Sequence, residues 1–242
     1  MRYRDLTIEP FGDAGSLVIA CDVSAGIGSK PADTVTVSPD VTAGFALRVP
    51  LMELFCFGAQ PISVIDTIGN EMKPTGELMI AGLTRELKRA GLSAAMLNGS
   101  TEDNMPTTTT SIGVTVVGKT TRSLVGLNHH QPMSVYRLGE PLVGDAVKQH
   151  FIDLFSYDII QKLRADSAVI DMLPVGSKGI AFEIGQLAAT HYLTIENQEL
   201  LNSAFMTQSA GPATVVLIGV DPINRQSFER RFPQVTYLLD LN

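Results

Sequence analysis

The sequence predicts a mixed α+β (α/β) chain in two domains, and three observations carry that reading. Strand-like apolar runs alternate with helical periodicity from end to end. A turn-rich stretch, "TTRSLVGLNHHQPM", interrupts the pattern near the middle, so a boundary falls near Gly126 and the domains span 1–126 and 127–242. The length, 242 residues, is enough for one large or two modest domains with a sizeable core.

Each element can be justified in turn. "SLVIACD" (16–22) is an apolar run bounded by glycine and aspartate, the pattern of a buried strand. "DTVTV" (33–37) alternates and predicts a second strand. Ser38 and Pro39 then supply an N-cap and a proline at the first helical position, so a helix runs to Phe57 and ends at Gly58. Apolar residues nearly encircle that helix, which predicts burial on several sides. "PISVIDTI" is a third strand. Residues 76–90 form an amphipathic helix with Arg85, Glu86, Lys88 and Arg89 towards water, closed by Gly91. "AAMLN" and "SIGVTVVGK" are two more strands. Beyond the boundary, "MSVYRL" is a strand, 145–163 a helix, "SAVIDMLPV" a strand and 177–191 a helix. "TVVLIGV" is a strand, a helix follows Asp221, and "VTYLLDL" closes the chain as a strand.

Composition removes several classes of function. Hydrophobic residues make up 45% and charged residues 18%, which excludes disorder and points to apolar surface buried between subunits. A net charge of -7 without a basic stripe makes nucleic acid an unsuitable partner, and a phosphorylated ligand would need a cation to screen it. The opening "MRYRDLTIEPFGD" has no secretory apolar core, and Glu53, Pro61 and Asp66 interrupt the most apolar stretch, so a cytoplasmic protein without a membrane span is expected. Cys21 and Cys56 lie among apolar neighbours without metal or redox spacing and read as reduced core thiols. His129 and His130 read as linker residues.

The acids are the main chemical signal. Asp13 sits in the glycine-flanked turn "FGDAG", Asp22 at the end of a strand, Glu53 inside the apolar helix, and Glu102 and Asp103 in the loop "NGSTEDN". A buried carboxylate protonates or finds a partner, and few basic residues lie nearby in sequence. Hard oxygen ligands of this kind suit Mg²⁺, although each acid taken alone also reads as a turn or cap residue. Two glycine turns have the character of phosphate cradles. "SAGIGSK" offers Gly26, Gly28 and Lys30, and "LPVGSKGI" puts Gly176, Ser177 and Lys178 at a strand-to-helix junction. Neither matches a P-loop or a dinucleotide fingerprint, and a capped helix start without ligand accounts for the second equally well.

Taken together, "GDAGSLVIACDVSAGIGSK", "ALRVPLMELFCFGAQPIS" and "NGSTEDN" followed by "GVTVVG" resemble the N-terminal ATP-binding domain of the AIR synthase superfamily. The resemblance covers the first half of the chain; "RLGEPLVGDAV" and "LPVGSKGI" resemble the family's second domain more weakly, and 127–242 is shorter than the usual partner. Within the superfamily, "DVSAGIGSK", "GSTEDN" and "LPVGSKGI" are most similar to the α-ribazole kinases of cobamide salvage.

That resemblance implies a homodimer whose N-terminal sheets pair, with ATP and Mg²⁺ near the interface. It implies an ATP-dependent kinase acting on a nucleoside-like alcohol, α-ribazole being the specific expectation. By position, Asp13 matches the first acid of the family's "GDD" turn, Asp22 the strand-end aspartate, Glu53 the acid of "SDIAAMGA", and 99–104 the "GG(D/E)T" loop. Asp13, Asp22, Glu53 and Glu102 are then the expected metal ligands. Gly26, Gly28, Lys30, Gly99, Ser100, Thr101, Asn104, Gly176 and Ser177 are the expected nucleotide contacts. Asp103 is expected as base, and Lys178 as a cation against the transferred phosphoryl group. Ala14, Ser100 and Lys178 depart from the family pattern, where acids stand. An ATP-dependent synthase or cyclase, or a regulatory protein that binds nucleotide without catalysis, are the alternatives.

Overall fold

The chain opens as an antiparallel meander of β1 (Arg2–Tyr3), β2 (Leu6–Pro10) and β3 (Ser16–Ala25). These coordinates are a computed structural model that describes residues 1–12, 15–122, 127, 130–151, 153–196 and 198–242. The described chain divides into two units: Met1–Leu54 with Ala59–Thr121, and Phe55–Gly58 with Arg122–Asn242.

In the first unit, β4 (Ile27–Gly28) and β5 (Val35–Thr36) form a two-stranded parallel ribbon. The strand expected over 33–37 shrinks to β5 because the Asp33 side chain is drawn into loop contacts described below. α1 (Pro39–Phe57) starts where Ser38 and Pro39 predicted, with the Ser38 carbonyl accepting from the Val41 amide at 3.0 Å. It ends at Gly58, whose φ of +87° is a conformation that glycine adopts at little cost. Leu47, Leu51, Met52 and Leu54 are fully buried along it, as its all-round apolar character predicted. Next come β6 (Gln60–Ile68), a π-turn over Met72–Gly76, α2 (Glu77–Arg89), β7 (Leu97–Thr101) and β8 (Ser111–Thr120).

Six strands pair in the order β1-β2-β3-β8-β6-β7, and only β6 with β7 is parallel. Alternation along β3, β6 and β8 sends Val18, Ala20, Val64, Ile112, Val114 and Val116 to the core side. The other face keeps Val23 70% and Ile65 44% exposed, together with Cys21. Cys21 is therefore not a core thiol. The strand period sends it to the face opposite Ala20 and Asp22, while Cys56 on α1 is buried as expected.

The second unit is built on a four-stranded antiparallel sheet. Its strands are β9 (Met133–Gly139), β10 (Val169–Pro174), β11 (Val215–Val220) and β12 (Thr236–Leu241), in the order β10-β11-β9-β12. The helix expected over 145–163 is two helices, α3 (Asp145–His150) and α4 (Tyr157–Ala165). Extended backbone at Ser156 separates them, and the serine starts the second helix. α5 (Gly179–His191) packs Ile180, Ile184 and Leu187 against Val135, Leu173, Val215 and Leu217. A short α6 (Ala204–Thr207) and α7 (Arg225–Arg231) complete the unit. At its centre, Asp171 on β10 accepts from the Met172 amide and meets the His191 ring nitrogen, each at 2.8 Å, and both side chains are buried. Among the described residues, no helix is long and apolar enough to cross a membrane.

Candidate functional site

β3 and β6 are each antiparallel to the intervening β8, and β7 is parallel to β6, so β3, β6 and β7 all point one way. The loops that follow these three strands leave the sheet at a single end. One row of the sheet carries acids close to that end. Asp22 pairs with Val114, Val114 with Asp66, and Asp66 with Gly99. Residues in one row share a face, and Val114 is buried, so both carboxylates project to the core side. Two strand spacings, roughly 10 Å, separate their Cα atoms.

Asp66 is only 4% exposed. Its carboxylate lies over Gly99, where a Cβ would come within 2.2 Å of it. Among the described residues, the hydrogen bond it receives is from its own backbone amide. Burial pushes its pKa up. Burial also pushes Asp22 up to about 6, against the opposing pull of the Val23 amide.

The surrounding loops are tied to one another by side chains. Lys30 Nζ donates to both carboxylate oxygens of Glu71, at 2.8 and 2.7 Å, and the Thr75 hydroxyl donates to the same group. Burial acts to raise the pKa of Glu71, but the bonds from Lys30 and Thr75 outweigh it and hold the group down to about 2. Asp33 accepts from the Lys30 amide, the Thr109 hydroxyl, and both the amide and hydroxyl of Thr110, at 2.6 to 2.9 Å. Asn70, fully buried, donates to the Thr107 hydroxyl and the Thr109 carbonyl and accepts from the Ser111 amide. The threonines of "MPTTTTS" are thus the fastenings of a loop cluster.

The expected residues fall into three groups. Asp22 and Gly99 share the acidic row. Gly26, Gly28 and Lys30 line the loop cluster beside it. A Cβ on Gly28 would strike the Thr110 hydroxyl at 2.0 Å, so this glycine is needed for packing, and Lys30 is held by Glu71. Ser100 pairs with Thr67 on the opposite face, and Thr101 and Asn104 flank the loop acids. Asp103 accepts from the Met72 amide at 2.6 Å, and Glu102 accepts from the Asn104 amide at 2.8 Å, so both acids cap turns.

The remaining expectations lie elsewhere. Glu53 is half-buried beside Leu54, whose side chain lies against Gly118. Gly118 is about 13 Å along β8 from Val114, towards the opposite end of the sheet from the acidic row. Asp13 lies outside the described residues; the chain on either side closes at the Pro10–Ser16 pair, the end of β3 remote from Asp22. Gly176, Ser177 and Lys178 belong to the second unit. There the Gly176 carbonyl accepts from Gly179 and Ala210, and Lys178 Nζ lies 4.2 Å from the Phe182 ring centroid.

The donor set at the acidic row fits a magnesium ion. Its ligands would be hard carboxylate oxygens, and Asp66 is buried without a positive partner among the described residues; Mg²⁺ commonly takes one or two such groups beside phosphate and water. Among the described residues, no three of His, Cys, Asp and Glu gather as a metal site. Asp33, Asp66, Asn70 and Glu71 were all missed from sequence. Of these, Asp66 carried a legible signal, as the lone charge inside "ISVIDTI".

No protein-family model and no curated protein matches the chain. Solved structures do. A structure entitled AaThiL complexed with AMPPCP and TMP matches 98% of this chain and 84% of its own, with a TM-score of 0.67 at 12% identity. The fold is that of thiamine-monophosphate kinase. The enzyme of that name from Stenotrophomonas maltophilia matches 99% of this chain and 88% of its own, with a TM-score of 0.63 at 15% identity. The hydrogenase maturation protein HypE matches 92% of this chain and 79% of its own, with a TM-score of 0.62 at 8% identity. At these identities the likeness is one of fold, and it bears out the α+β, AIR-synthase-like architecture.

Proposed function

We propose that the chain is an ATP-dependent small-molecule kinase, with ATP held by the loops at the acidic end of the first sheet. The observation that carries this reading is the shared fold with a kinase whose structure holds an ATP analogue, combined with a carboxylate row suited to a nucleotide's cation. Bound Mg²⁺ would screen the triphosphate and stabilise charge on the transferred phosphoryl group. Asp22 is the first ligand the reading assigns, with Glu102 in the loop after β7 as the second; Glu53, towards the opposite end of the sheet, is left out of the set, as is Asp13, whose flanking strand residues pair at the end of β3 remote from Asp22. The loop cluster fixes the rim through Asp33, Asn70 and Glu71, so backbone amides around Gly26 and Gly99 are held in place before ligand arrives. Asp103 would take the acceptor's proton.

The acceptor we propose is a nucleoside-like alcohol, specifically α-ribazole, on the similarity of "DVSAGIGSK", "GSTEDN" and "LPVGSKGI" to the α-ribazole kinases. An ADP-release assay on the full chain, with α-ribazole and thiamine monophosphate as first acceptors, tests it. A kinase yields an acceptor heavier by one phosphate, a cyclase a dehydrated ring, and a regulatory protein neither. Asp22→Ala should abolish turnover and leave the fold intact; normal turnover in that variant removes the assignment.

We further propose a homodimer through the outer face of the first sheet, where Val23 and Cys21 on β3 and Ile65 on β6 are exposed on either side of β8. Light scattering should report twice the chain mass, and Ile65→Lys should halve it. An unchanged mass in the variant moves the interface elsewhere.

A further inference from the structure

The second unit carries a cavity to which neither the sequence motifs nor the kinase reading gives a use. β9 turns Val135 towards α5, so Leu138, of opposite parity, faces the other side of the sheet. There, at the end where β9 stops and β11 begins, a pocket of about 550 Å³ opens. Among the described residues its walls are Leu138, Leu142, Leu154, Phe155 and Ile159. The break between α3 and α4 is what places Leu154 and Phe155 in this wall. The floor is fixed. The fully buried Thr214 hydroxyl accepts from the Leu142 amide at 3.0 Å and donates to the Ala210 carbonyl at 3.2 Å. Gly139 has a φ of +87°, and a Cβ there would strike the Thr214 carbonyl and come within 2.8 Å of the Phe155 ring. A side chain at position 139 would push that ring off the strand end.

The rim is polar, and its fixed charge is negative. Glu140 and Asp153 bring carboxylates, Gln234 an amide, and His150 an imidazole whose Nδ1 lies 3.5 Å from the Asp153 carboxylate. Glu140 is already engaged by Arg137 at 2.6 Å, whereas the Asp153 side chain is 74% exposed. No lysine or arginine lines the pocket among the described residues. A cleft of this size, with apolar walls and a few polar groups at its mouth, has the form of a small-molecule site. An anion would meet two carboxylates there. A flat ring suits the leucine, isoleucine and phenylalanine walls, and a nitrogen that donates suits the Asp153 oxygens. We propose that this pocket binds a flat, weakly basic nitrogen heterocycle, its ring between Phe155 and Ile159 and its nitrogen towards Asp153 and His150. The site lies within the second unit and does not depend on the nucleotide assignment of the first.

The test is a calorimetric titration of the full chain with benzimidazole and with benzoate, an anion of similar size, each with and without AMPPCP. Benzimidazole should bind saturably, one molecule per chain, whether or not the nucleotide analogue is present. Benzoate should bind at least tenfold more weakly. Ile159→Trp fills the pocket and should weaken benzimidazole at least tenfold at an unchanged melting temperature. Asp153→Asn alters an exposed side chain, so it serves even if the tryptophan disturbs α4, and it should narrow the preference over benzoate at least threefold. Absence of saturable benzimidazole binding overturns the proposal, as does a folded Ile159→Trp protein that binds within twofold of wild type. So does an Asp153→Asn protein with the wild-type preference over benzoate. A chain that binds benzimidazole but phosphorylates no acceptor defeats the kinase reading alone. One that phosphorylates an acceptor and ignores benzimidazole defeats this one alone.

Discussion

Two buried aspartates, one in each unit, have opposite surroundings. Asp171 in the second unit receives the Met172 amide and faces His191, and both members of the pair are sealed from solvent. Asp66 in the first unit is almost as deeply buried and, among the described residues, receives nothing beyond its own amide. A satisfied buried acid stabilises the fold that surrounds it, whereas an unsatisfied one costs stability and persists for another reason. The second unit therefore spends its buried charge on architecture. In the first, Asp66 has no such pairing among the described residues.

The largest effect should come from breaking the satisfied pair. His191→Leu leaves Asp171 buried without its imidazole partner, and should cost about 3–5 kcal/mol in urea unfolding of the full chain. A loss below ~1 kcal/mol would erase the contrast between the two units. Asn70→Ala comes next, since it orphans the Ser111 amide and frees the Thr107–Thr109 segment. Its expected cost is about 2–3 kcal/mol, with weakened AMPPCP binding by calorimetry. Glu71→Gln removes the charge that holds Lys30, at about 1–2 kcal/mol near neutral pH.

Glu71 also sets a pH test whose sign is opposite to that of Asp22. Its folded pKa is depressed to about 2, so its contribution is present above the ordinary carboxylate range and is lost as pH falls towards 2. Asp22 has a raised folded pKa of about 6. Between the ordinary carboxylate range and pH 6 the folded chain binds the extra proton, so this group's effect on cation-free stability worsens as pH rises through that window. Asp22→Asn should flatten this smallest of the effects in melting curves taken from pH 4 to 7. An unchanged slope would place the Asp22 carboxylate in ordinary solvent.

Much of the architecture was legible in the sequence, and the misses are physical. Ser38-Pro39 and Gly58 bounded α1 because capping chemistry is local. The break between α3 and α4 escaped because the apolar spacing of 145–163 continues through it. Cys21 was misplaced because a strand's apolar run does not reveal which of its faces is covered. Among the site residues, Asp22 was readable as an acid ending an apolar strand. Asp66 lies in an equally apolar strand, but its pairing with Gly99 and Asp22 depends on strand order, which spacing along one chain does not encode. Asp33 and the threonines it fastens are more than seventy residues apart in sequence, and only the folded loops bring them together.

The knot formed by Asp33, Asn70 and Glu71 has a kinetic consequence. Its bonds join the three loops to each other as well as to the strands below, so opening one requires releasing its neighbours. The amides of Lys30, Thr110 and Ser111 should accordingly exchange with deuterium in a single concerted event and share one rate. Nucleotide would then meet a rim already set, and its arrival rate would follow diffusion and charge instead of waiting for a flap to settle.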